Sequence, residues 1–361
     1  MESDNLKKLF KKSLLDSKAY FPPVNRKDFV KLDLNESYIL NDEILEEIRK
    51  IDYFTLSSYP EYGELVSELA GYANRSEEEI CLTSGSDQAI QMLLNIFFKE
   101  GDQIIIPSPT FFVYFSILNL IEANPKTILY KEEGNKFLFP FKETLGTINS
   151  DSKGLLLCNP NNPLGASIPE NELIELLEKT SSLGIPVIID EAYYEFSGYT
   201  SAGLLDRFKN LIILRSFSKS FGLAGVRLGY ILANKNIIDE LIKLRLPWAV
   251  NHFAVHAGKV VLKRKQHFKE KVEEINSTKK ELADFMRENG YKCYDTDTNF
   301  LIVKTDNGKN LMEKFKEEGI LISDVSHYPH SGELLQNALR IAVPSKDKLE
   351  LVKKVISINK C

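Results

Sequence analysis

Residues 154–165 read GLLLCNPNNPLG, in which an apolar run ends directly at a turn held by two prolines. The next apolar run, Pro186 to Asp190, ends just as abruptly in a pair of carboxylates. A third run, Leu211 to Arg215, leads into the loop SFSKSFGLAG. Short apolar runs that alternate with helical patterns are typical of a largely parallel sheet with helices on both faces. The sequence therefore predicts an α/β fold.

The same alternation extends from about residue 42 to residue 247 and predicts a sheet of seven strands. The predicted strands are Ile80 to Thr83, Gln103 to Pro107, Thr127 to Tyr130, Gly154 to Cys158, Pro186 to Asp190, Leu211 to Arg215 and Leu228 to Ala233. Between them, Pro60-Glu61 and Pro169-Glu170 are predicted to begin helices, and Ser86-Asp87 to cap the helix that runs to Phe98.

The alternation of apolar runs and helical patterns stops after Pro247, and a long charged helical stretch follows it to Asn289-Gly290. Further predicted elements are strands near Phe300 to Lys304, Ile320 to Ser323 and Leu339 to Val343, and a helix from Lys346 to Ile358. We therefore expect a large domain over residues 42–247 and a smaller α+β domain over residues 248–361. Residues 1–41 would form an N-terminal arm and part of the small domain.

Composition narrows the classes of function. The 46 basic and 51 acidic residues give a net charge of -5, which predicts no nucleic-acid or membrane partner and favours a small-molecule partner. The first residues contain no apolar signal segment, and no stretch reaches the ~18 apolar residues of a membrane span. The four cysteines form no CxxC pair, and His252 and His256 lack the glutamate of an HExxH site. We expect a cytoplasmic protein without a bound metal.

Ligands of open parallel sheets bind beyond the carboxyl ends of the strands, so the turns after the predicted strands are the candidate sites. Ser84-Gly85-Ser86-Asp87 leads from a strand into the N-terminus of a helix, where free N–H groups favour an anion such as a phosphate. An ordinary helix cap is the alternative there.

Two charged residues follow other strands. Asp190 ends an apolar strand, so its carboxylate needs a cation or hydrogen-bond donors, or it will take up a proton. Lys219 lies between Phe217 and Phe221, which predicts partial burial. A buried amine has a lowered pKa and is a usable nucleophile toward carbonyls. A structural cap and a solvated surface lysine are the respective alternatives.

The motifs NPNNPLG, DEAYYEF and SFSKSFGLAGVRLGY occur in that order over residues 159–230. With TSGSDQAI and Tyr59-Pro60-Glu61 before them and Ala338-Leu339-Arg340-Ile341 after them, the chain resembles the fold-type I, aspartate-aminotransferase-like enzymes that use pyridoxal 5'-phosphate. Each motif alone is weak, whereas five in order are specific. The resemblance covers nearly the whole chain.

The resemblance implies roles for individual residues. Lys219 would hold the cofactor covalently and later move a proton, while Asp190 would pair with its protonated ring nitrogen. Asn162 and Tyr193 would bond the ring hydroxyl, and Phe111 would stack on the ring. The residues implied to bind the cofactor phosphate are Gly85, Ser86, Asp87, Ser216, Ser218 and Arg227.

Further implied residues concern the substrate and a second subunit. Tyr59 resembles a tyrosine that reaches the phosphate of the partner subunit, which implies a homodimer. Arg340 resembles the arginine that binds the substrate carboxylate. Tyr20 and Asn35 fall in segments that resemble the substrate-binding part of the family.

Within the superfamily the chain is most similar to the histidinol-phosphate aminotransferases and the L-threonine O-3-phosphate decarboxylases. Both usually carry an arginine for the substrate phosphate where this chain has Ser323. The hypothesis is that Tyr20, Asn35 and a nearby basic group replace it, or that the substrate is another small amine. We expect transfer of an amino group between a small phosphorylated amine and 2-oxoglutarate or glutamate, with decarboxylation of threonine phosphate or serine phosphate as the alternative.

Overall fold

The computed structural model describes residues 7–17, 19–21 and 23–359. The strands are β1 (Val30–Lys31), β2 (Ile80–Thr83), β3 (Gln103–Ser108), β4 (Asn124–Leu129), β5 (Lys131–Glu133), β6 (Lys136–Leu138), β7 (Ser152–Cys158), β8 (Val187–Asp190), β9 (Leu211–Ser216), β10 (Gly229–Ala233), β11 (Lys292–Tyr294), β12 (Phe300–Lys304), β13 (Ile320–Leu321), β14 (Ser323–Asp324) and β15 (Ala338–Ala342). The α-helices are Lys12–Leu15, Asp42–Arg49, Tyr53–Ser57, Gly63–Ala73, Gly85–Phe97, Val113–Leu120, Phe141–Thr147, Glu170–Ser182, Tyr194–Ser197, Lys235–Leu244, His252–Leu262, Lys265–Glu288, Gly308–Glu317 and Lys346–Ile358.

The predicted seven-stranded sheet is confirmed, and its order is β2-β10-β9-β8-β7-β3-β4. Only β10 runs antiparallel to its neighbours, while the other pairs are parallel. Each predicted run overlaps one of these strands. The observed architecture is the predicted α/β arrangement, a mostly parallel sheet with an apolar core on each face.

Side chains of the central strands alternate between the two faces of the sheet. Leu157 and Ile189 belong to one apolar core, whereas Leu156 and Ile188 belong to the core on the opposite face. Burial of an aliphatic side chain of this size contributes about 1.5–3 kcal/mol, so both faces hold the strands firmly. In this register Asp190 lies beside Cys158, at the shared carboxyl edge of the sheet.

A smaller antiparallel sheet, in the order β11-β12-β15-β14, lies in the C-terminal part of the chain. Its apolar core includes Leu282 from the helix Lys265–Glu288 and Val352 from the helix Lys346–Ile358. Strand β1, near the start of the chain, pairs in parallel with β13. The domain boundaries at residues 41 and 247 stay a prediction.

The cap predicted at Ser86-Asp87 is wrong. The helix begins one residue earlier, at Gly85, whose φ of +74° allows the chain to turn sharply from β2 into the helix. Asp87 instead forms an ion pair with Arg227 at 2.8 Å. The side chain of Gln88 accepts a hydrogen bond from the N–H of Ser84 at 2.6 Å, so the helix side chain caps the turn that precedes it.

Three other boundaries differ from their predictions. The helix expected from Pro60-Glu61 begins at Gly63, and the long charged stretch is two helices that break at residues 263–264. The strand predicted over Ile320 to Ser323 is split: β13 pairs with β1, whereas β14 pairs with β15. As a result, Ser323 lies directly opposite Arg340 in the pairing of β14 with β15.

Cys81, Cys158 and Cys293 are buried free thiols, and Cys361 lies outside the described residues, as does the start of the N-terminal segment. Within the described part of the chain, no helix is long and apolar enough to cross a membrane.

Candidate active site

Lys219 lies in the loop after β9, at the carboxyl edge of the large sheet. Phe217 and Phe221 are buried on either side of it, with their ring centroids 4.7 Å apart. The Lys219 Nζ donates a hydrogen bond to the carbonyl of Leu34 at 3.0 Å and lies 5.7 Å from the ring centroid of Tyr193. Burial, aided by the positive charge of Arg340, lowers the pKa of Lys219 to about 8. The partial burial predicted from the phenylalanines is confirmed.

Asp190 is a buried carboxylate without an ion-pair partner in the part of the chain that the structure describes. Its Oδ2 accepts a hydrogen bond from the hydroxyl of Tyr114 at 2.6 Å, and its Oδ1 accepts one from the N–H of Ala192 at 3.0 Å. Burial raises the pKa of Asp190 to about 6, although both hydrogen bonds act in the opposite direction. The site therefore holds a carboxylate that a cation would stabilise.

Tyr114 is a residue of this site that sequence reasoning missed. It lies in the apolar helix Val113–Leu120 and is fully buried, and both burial and the nearby Asp190 raise its pKa well above the ordinary value. The available signal was a tyrosine on the buried side of an otherwise apolar helix, three residues after Phe111. A buried hydroxyl requires a polar partner, and here that partner is Asp190.

Arg340 brings the small sheet to the same site. Its Nη1 donates to Asn162 Oδ1 at 2.7 Å and its Nη2 to the carbonyl of Asp33 at 2.9 Å. Its Nε has no hydrogen-bond partner among the residues that the structure describes. The residue is 6% exposed, and no carboxylate of the described residues lies within 4.0 Å of its guanidinium. A buried guanidinium without a counter-ion is suited to bind an anionic ligand.

Asn35 and Tyr193 join this group from positions 158 residues apart in the chain. Asn35 Nδ2 donates to the Tyr193 hydroxyl oxygen at 3.0 Å, and burial raises the pKa of Tyr193. Asn35 has a φ of +55°, and the side chain of Asn299 donates to its carbonyl at 3.1 Å. The side-chain oxygen of Asn35, Oδ1, is buried and accepts no hydrogen bond from the described residues.

Arg227 is one of the six residues predicted to bind a phosphate, and it lies next to Gly85, Asp87 and Ser218 of that set. Its Nη1 donates to Ser218 Oγ at 3.5 Å, and the Ser218 N–H donates to Ser216 Oγ at 3.1 Å. A Cβ added to Gly85 would lie 2.6 Å from Arg227 Nη2. The Asp87 carboxylate pairs with this guanidinium at 2.8 Å. The guanidinium, the two hydroxyls and the N-terminus of the helix that contains Ser86 and Asp87 are donors of the kind that a phosphate prefers.

Of the three aromatic residues predicted to contact cofactor or substrate, Phe111 lies close to Asp190, whereas Tyr20 and Tyr59 are largely exposed. Phe111 packs edge-on against Tyr114, with centroids 5.8 Å apart, and is thereby close to Asp190. Tyr20 is 59% exposed, and the centroid of its ring lies 5.0 Å from that of Phe112. Tyr59 is 72% exposed and its ring stacks on that of Trp248, with the centroids 4.2 Å apart.

These residues fit pyridoxal 5'-phosphate. The buried amine of Lys219, the unpaired carboxylate of Asp190 and the anion group around Arg227 supply the three kinds of contact that this cofactor requires. The described residues contain no group of three or more His, Cys, Asp or Glu that could hold a metal ion.

Comparisons with known proteins show what this chain is similar to. The histidinol-phosphate aminotransferase of Caldanaerobacter subterraneus subsp. tengcongensis is 33% identical over 322 residues, which cover 88% of this chain and 89% of the relative. The crystal structure of histidinol-phosphate aminotransferase from Sinorhizobium meliloti in complex with pyridoxal-5'-phosphate has a TM-score of 0.85 at 19% identity, over 97% of this chain and 96% of that one. A tetra mutant of Thermus thermophilus aspartate aminotransferase has a TM-score of 0.79 at 18% identity, over 97% and 99%.

The two solved structures show the fold, and the sequence match shows the family. The family model described as aminotransferase class I and II matches residues 28–356. The chain belongs to the class I and II aminotransferases.

Proposed function

We propose that the protein is a pyridoxal-5'-phosphate-dependent aminotransferase of the histidinol-phosphate type. It would move an amino group between a small phosphorylated amine and 2-oxoglutarate or glutamate. The observation that carries the proposal is the amine of Lys219 at the same sheet edge as the buried carboxylate of Asp190, which pairs with no cation of the described residues. The choice of substrate is supported by relatives about 30% identical that are named histidinol-phosphate aminotransferase.

Lys219 supplies the amine and the proton transfer. With a pKa of about 8, about a tenth of its amine is neutral at pH 7, far more than for a lysine with the ordinary value of 10.5. The neutral Nζ can attack a carbonyl, and it can later accept and return a proton next to the substrate nitrogen. The bound cofactor supplies an electron sink for the negative charge that proton removal leaves.

Asp190 and Tyr114 would set the electrostatics of this sink. A carboxylate in a buried site stabilises a cationic ring nitrogen by about 4 kcal/mol at contact distance and an effective dielectric of 20. The hydrogen bond from Tyr114 favours the ionised form of Asp190 without neutralising its charge, because the tyrosine keeps its proton. Asn162 accepts a hydrogen bond from Arg340 and Tyr193 accepts one from Asn35, so both side chains would be held in place to bond the ring hydroxyl.

Arg340 would orient the anionic group of the substrate. Its free Nε and its buried charge make it the anchor for a carboxylate or phosphate, whereas Ser323, its cross-strand neighbour, adds at most a hydroxyl. Tyr20 remains a proposed substrate contact, because it reaches this region through Phe112 and Tyr328.

We also propose a homodimer in the cytoplasm. Large apolar side chains are exposed together in two segments that Tyr59 and Trp248 join by stacking. The members of this exposed patch are Tyr53, Phe54, Leu56, Tyr59, Leu246 and Trp248. A patch of this kind on a soluble chain is typical of a protein interface, and a second copy would bring Tyr59 toward the neighbouring site. Three buried free thiols suit a reducing compartment.

A product assay tests the proposed reaction. Purified protein with its cofactor is incubated with histidinol phosphate, threonine phosphate or serine phosphate, with and without 2-oxoglutarate. Glutamate formed from histidinol phosphate only in the presence of 2-oxoglutarate is the expected result. Release of carbon dioxide from threonine or serine phosphate would assign decarboxylation instead, and no turnover of any phosphorylated amine would refute the substrate class.

A further inference from the structure

Residues 33–36, which we call the contact segment, touch the candidate active site through their backbone. The carbonyl of Leu34 accepts the hydrogen bond from Lys219 Nζ at 3.0 Å, and the carbonyl of Asp33 accepts one from Arg340 Nη2 at 2.9 Å. Because the peptide unit is planar, a carbonyl keeps its direction as long as the backbone around it is fixed. Whatever holds the contact segment in place therefore also orients the reactive amine and the proposed anchor of the substrate anion.

Asn35 adds a third contact from the same segment. Its Nδ2 donates to the hydroxyl oxygen of Tyr193 at 3.0 Å, and its φ of +55° lies in the left-handed region. A residue other than glycine keeps such a conformation where the surrounding structure holds it. Asn299 does so on one side, because its Nδ2 donates to the carbonyl of Asn35 and to the Ser37 hydroxyl oxygen, both at 3.1 Å.

Arg26 holds the two ends of the contact segment. Its Nε and Nη2 donate to the Asp33 carboxylate at 3.0 and 2.5 Å, and its Nη1 and Nη2 donate to the Glu36 carboxylate at 3.3 and 2.5 Å. The side chains of Arg26, Asp33 and Glu36 are 14%, 10% and 24% exposed, so water and salt screen these two ion pairs only in part. The planar fork of arginine fixes the geometry of both carboxylates, which the point charge of a lysine cannot do.

The loss of Arg26 would leave two like charges side by side. The Asp33 and Glu36 carboxylates share the Nη2 nitrogen, so the guanidinium holds their oxygens close together. Without it the two carboxylates repel each other at the ends of a segment of four residues, and the carbonyls between them are no longer fixed. Since two carboxylates offset its charge, Arg26 is suited to hold this segment rather than to attract a substrate anion.

We propose that Arg26 is a positioning residue that holds the contact segment against the candidate active site. In this position the Leu34 carbonyl orients the amine of Lys219 when that amine carries a proton. The Asp33 carbonyl keeps Arg340 directed at the anionic group of the substrate. The inference rests on the proposed function, because it depends on the proton transfer and the anion binding that are proposed there.

Steady-state kinetics of Arg26→Gln test the proposal with the amine that the native protein turns over. A misplacement of about 1 Å can lower a rate about 100-fold, so kcat should fall about ten- to 100-fold and KM for the anionic substrate should rise. No turnover by the native protein would contradict the proposed function. Turnover by the native protein that Arg26→Gln leaves unchanged would overturn the positioning role alone.

The matched control is Arg75→Gln. Arg75 also binds two carboxylates, those of Glu79 and Asp206, both at 2.7 Å, and its side chain is 9% exposed. None of these three residues belongs to the contact segment or to the candidate active site. The control should therefore keep the native kcat and KM, and an equal loss in both variants would show that the effect of Arg26→Gln is general destabilisation.

Binding of 2-oxoglutarate without an amine donor gives a readout that requires no turnover. Calorimetric titration of the full chain with its cofactor should show about tenfold weaker binding in Arg26→Gln and native affinity in Arg75→Gln. Equal affinity in Arg26→Gln and the native protein would overturn the proposal.

Arg26→Lys separates position from charge, because it keeps the positive charge and loses the fork. Its kcat and its affinity for 2-oxoglutarate should lie between those of the native protein and those of Arg26→Gln. Full recovery of the native values would assign the effect to charge and overturn the positioning role. If Arg26→Gln does not fold, as judged by circular dichroism, Arg26→Lys decides alone: a lowered kcat supports the proposal, and the native kcat overturns it.

Discussion

Tyr114→Phe removes one hydroxyl, and with it the 2.6 Å hydrogen bond to Asp190. A hydrogen bond to a charged group contributes about 1.5–3 kcal/mol, and 1.36 kcal/mol corresponds to one pKa unit. The pKa of Asp190, about 6 in the native protein, should therefore rise to about 7–8 in the variant. At pH 7 the ionised fraction would fall from about nine-tenths to between a half and a tenth.

The expected consequence is a lower affinity for the cofactor, because less ionised Asp190 is available to pair with the cationic ring nitrogen. If cofactor affinity follows the ionised fraction of Asp190, the variant binds pyridoxal 5'-phosphate about two- to tenfold more weakly than the native protein at pH 7, and the difference closes near pH 9. Fluorescence titration of the cofactor-free protein from pH 5.5 to 9 measures this. The matched control is Tyr294→Phe in β11, which removes a tyrosine-to-carboxylate hydrogen bond of the same 2.6 Å length, to Glu132 in β5.

The sign of the stability effect follows from the same shift. The pKa of Asp190 in the folded protein lies above its ordinary value of 3.8, so the folded state binds this proton more tightly than the unfolded state. The contribution of this proton to the free energy of unfolding is complete below about pH 4 and is lost as the pH rises through about 6. In cofactor-free Tyr114→Phe the loss should extend to about pH 7–8. Superimposable profiles of cofactor affinity and unfolding free energy for the variant and native protein would refute the role given to Tyr114.

Three further predictions concern single residues of the site. Lys219→Ala should abolish turnover and the absorbance of the lysine-bound cofactor while leaving the fold intact by circular dichroism; a variant that keeps both would remove the central residue of the account. Gly85→Ala should weaken cofactor binding and lower the free energy of unfolding by about 1 kcal/mol or more, because a methyl group meets Arg227 and the φ is +74°. Its control is Gly101→Ala, where φ is +80° but nothing lies within 4 Å, so the backbone cost should appear there without the loss of cofactor; equal cofactor affinity in the two would contradict this. Arg340→Lys should raise KM for the anionic substrate about tenfold or more through loss of bidentate geometry, measured by steady-state kinetics, and an unchanged KM would place the anion elsewhere.

The strands of the large sheet could be predicted because their burial on both faces produces continuous apolar runs. Cys158, Asp190 and Ser216 mark the points where three such runs stop, and the polar groups that follow them converge at one edge. That convergence is a consequence of parallel topology, so the sequence was sufficient to predict it. The partial burial of Lys219 followed from its two phenylalanine neighbours in the same way.

Contacts made across long sequence separations could not be predicted from local pattern. The carbonyl of Leu34 that accepts from Lys219, and the carbonyl of Asp33 that accepts from Arg340, belong to a segment distant in the chain. Tyr114 was missed because its function depends on which residue its hydroxyl meets. The split of the run at residues 320–323 was missed because pairing with β1 involves the other end of the chain.

The most direct test of the central claim is peptide mass spectrometry after borohydride reduction of the purified protein. The account predicts a visible absorbance band that reduction removes, and a peptide containing Lys219 that carries the mass of the reduced vitamin B6 group. A modified lysine elsewhere, or an unmodified Lys219 in protein that contains stoichiometric cofactor, would contradict it.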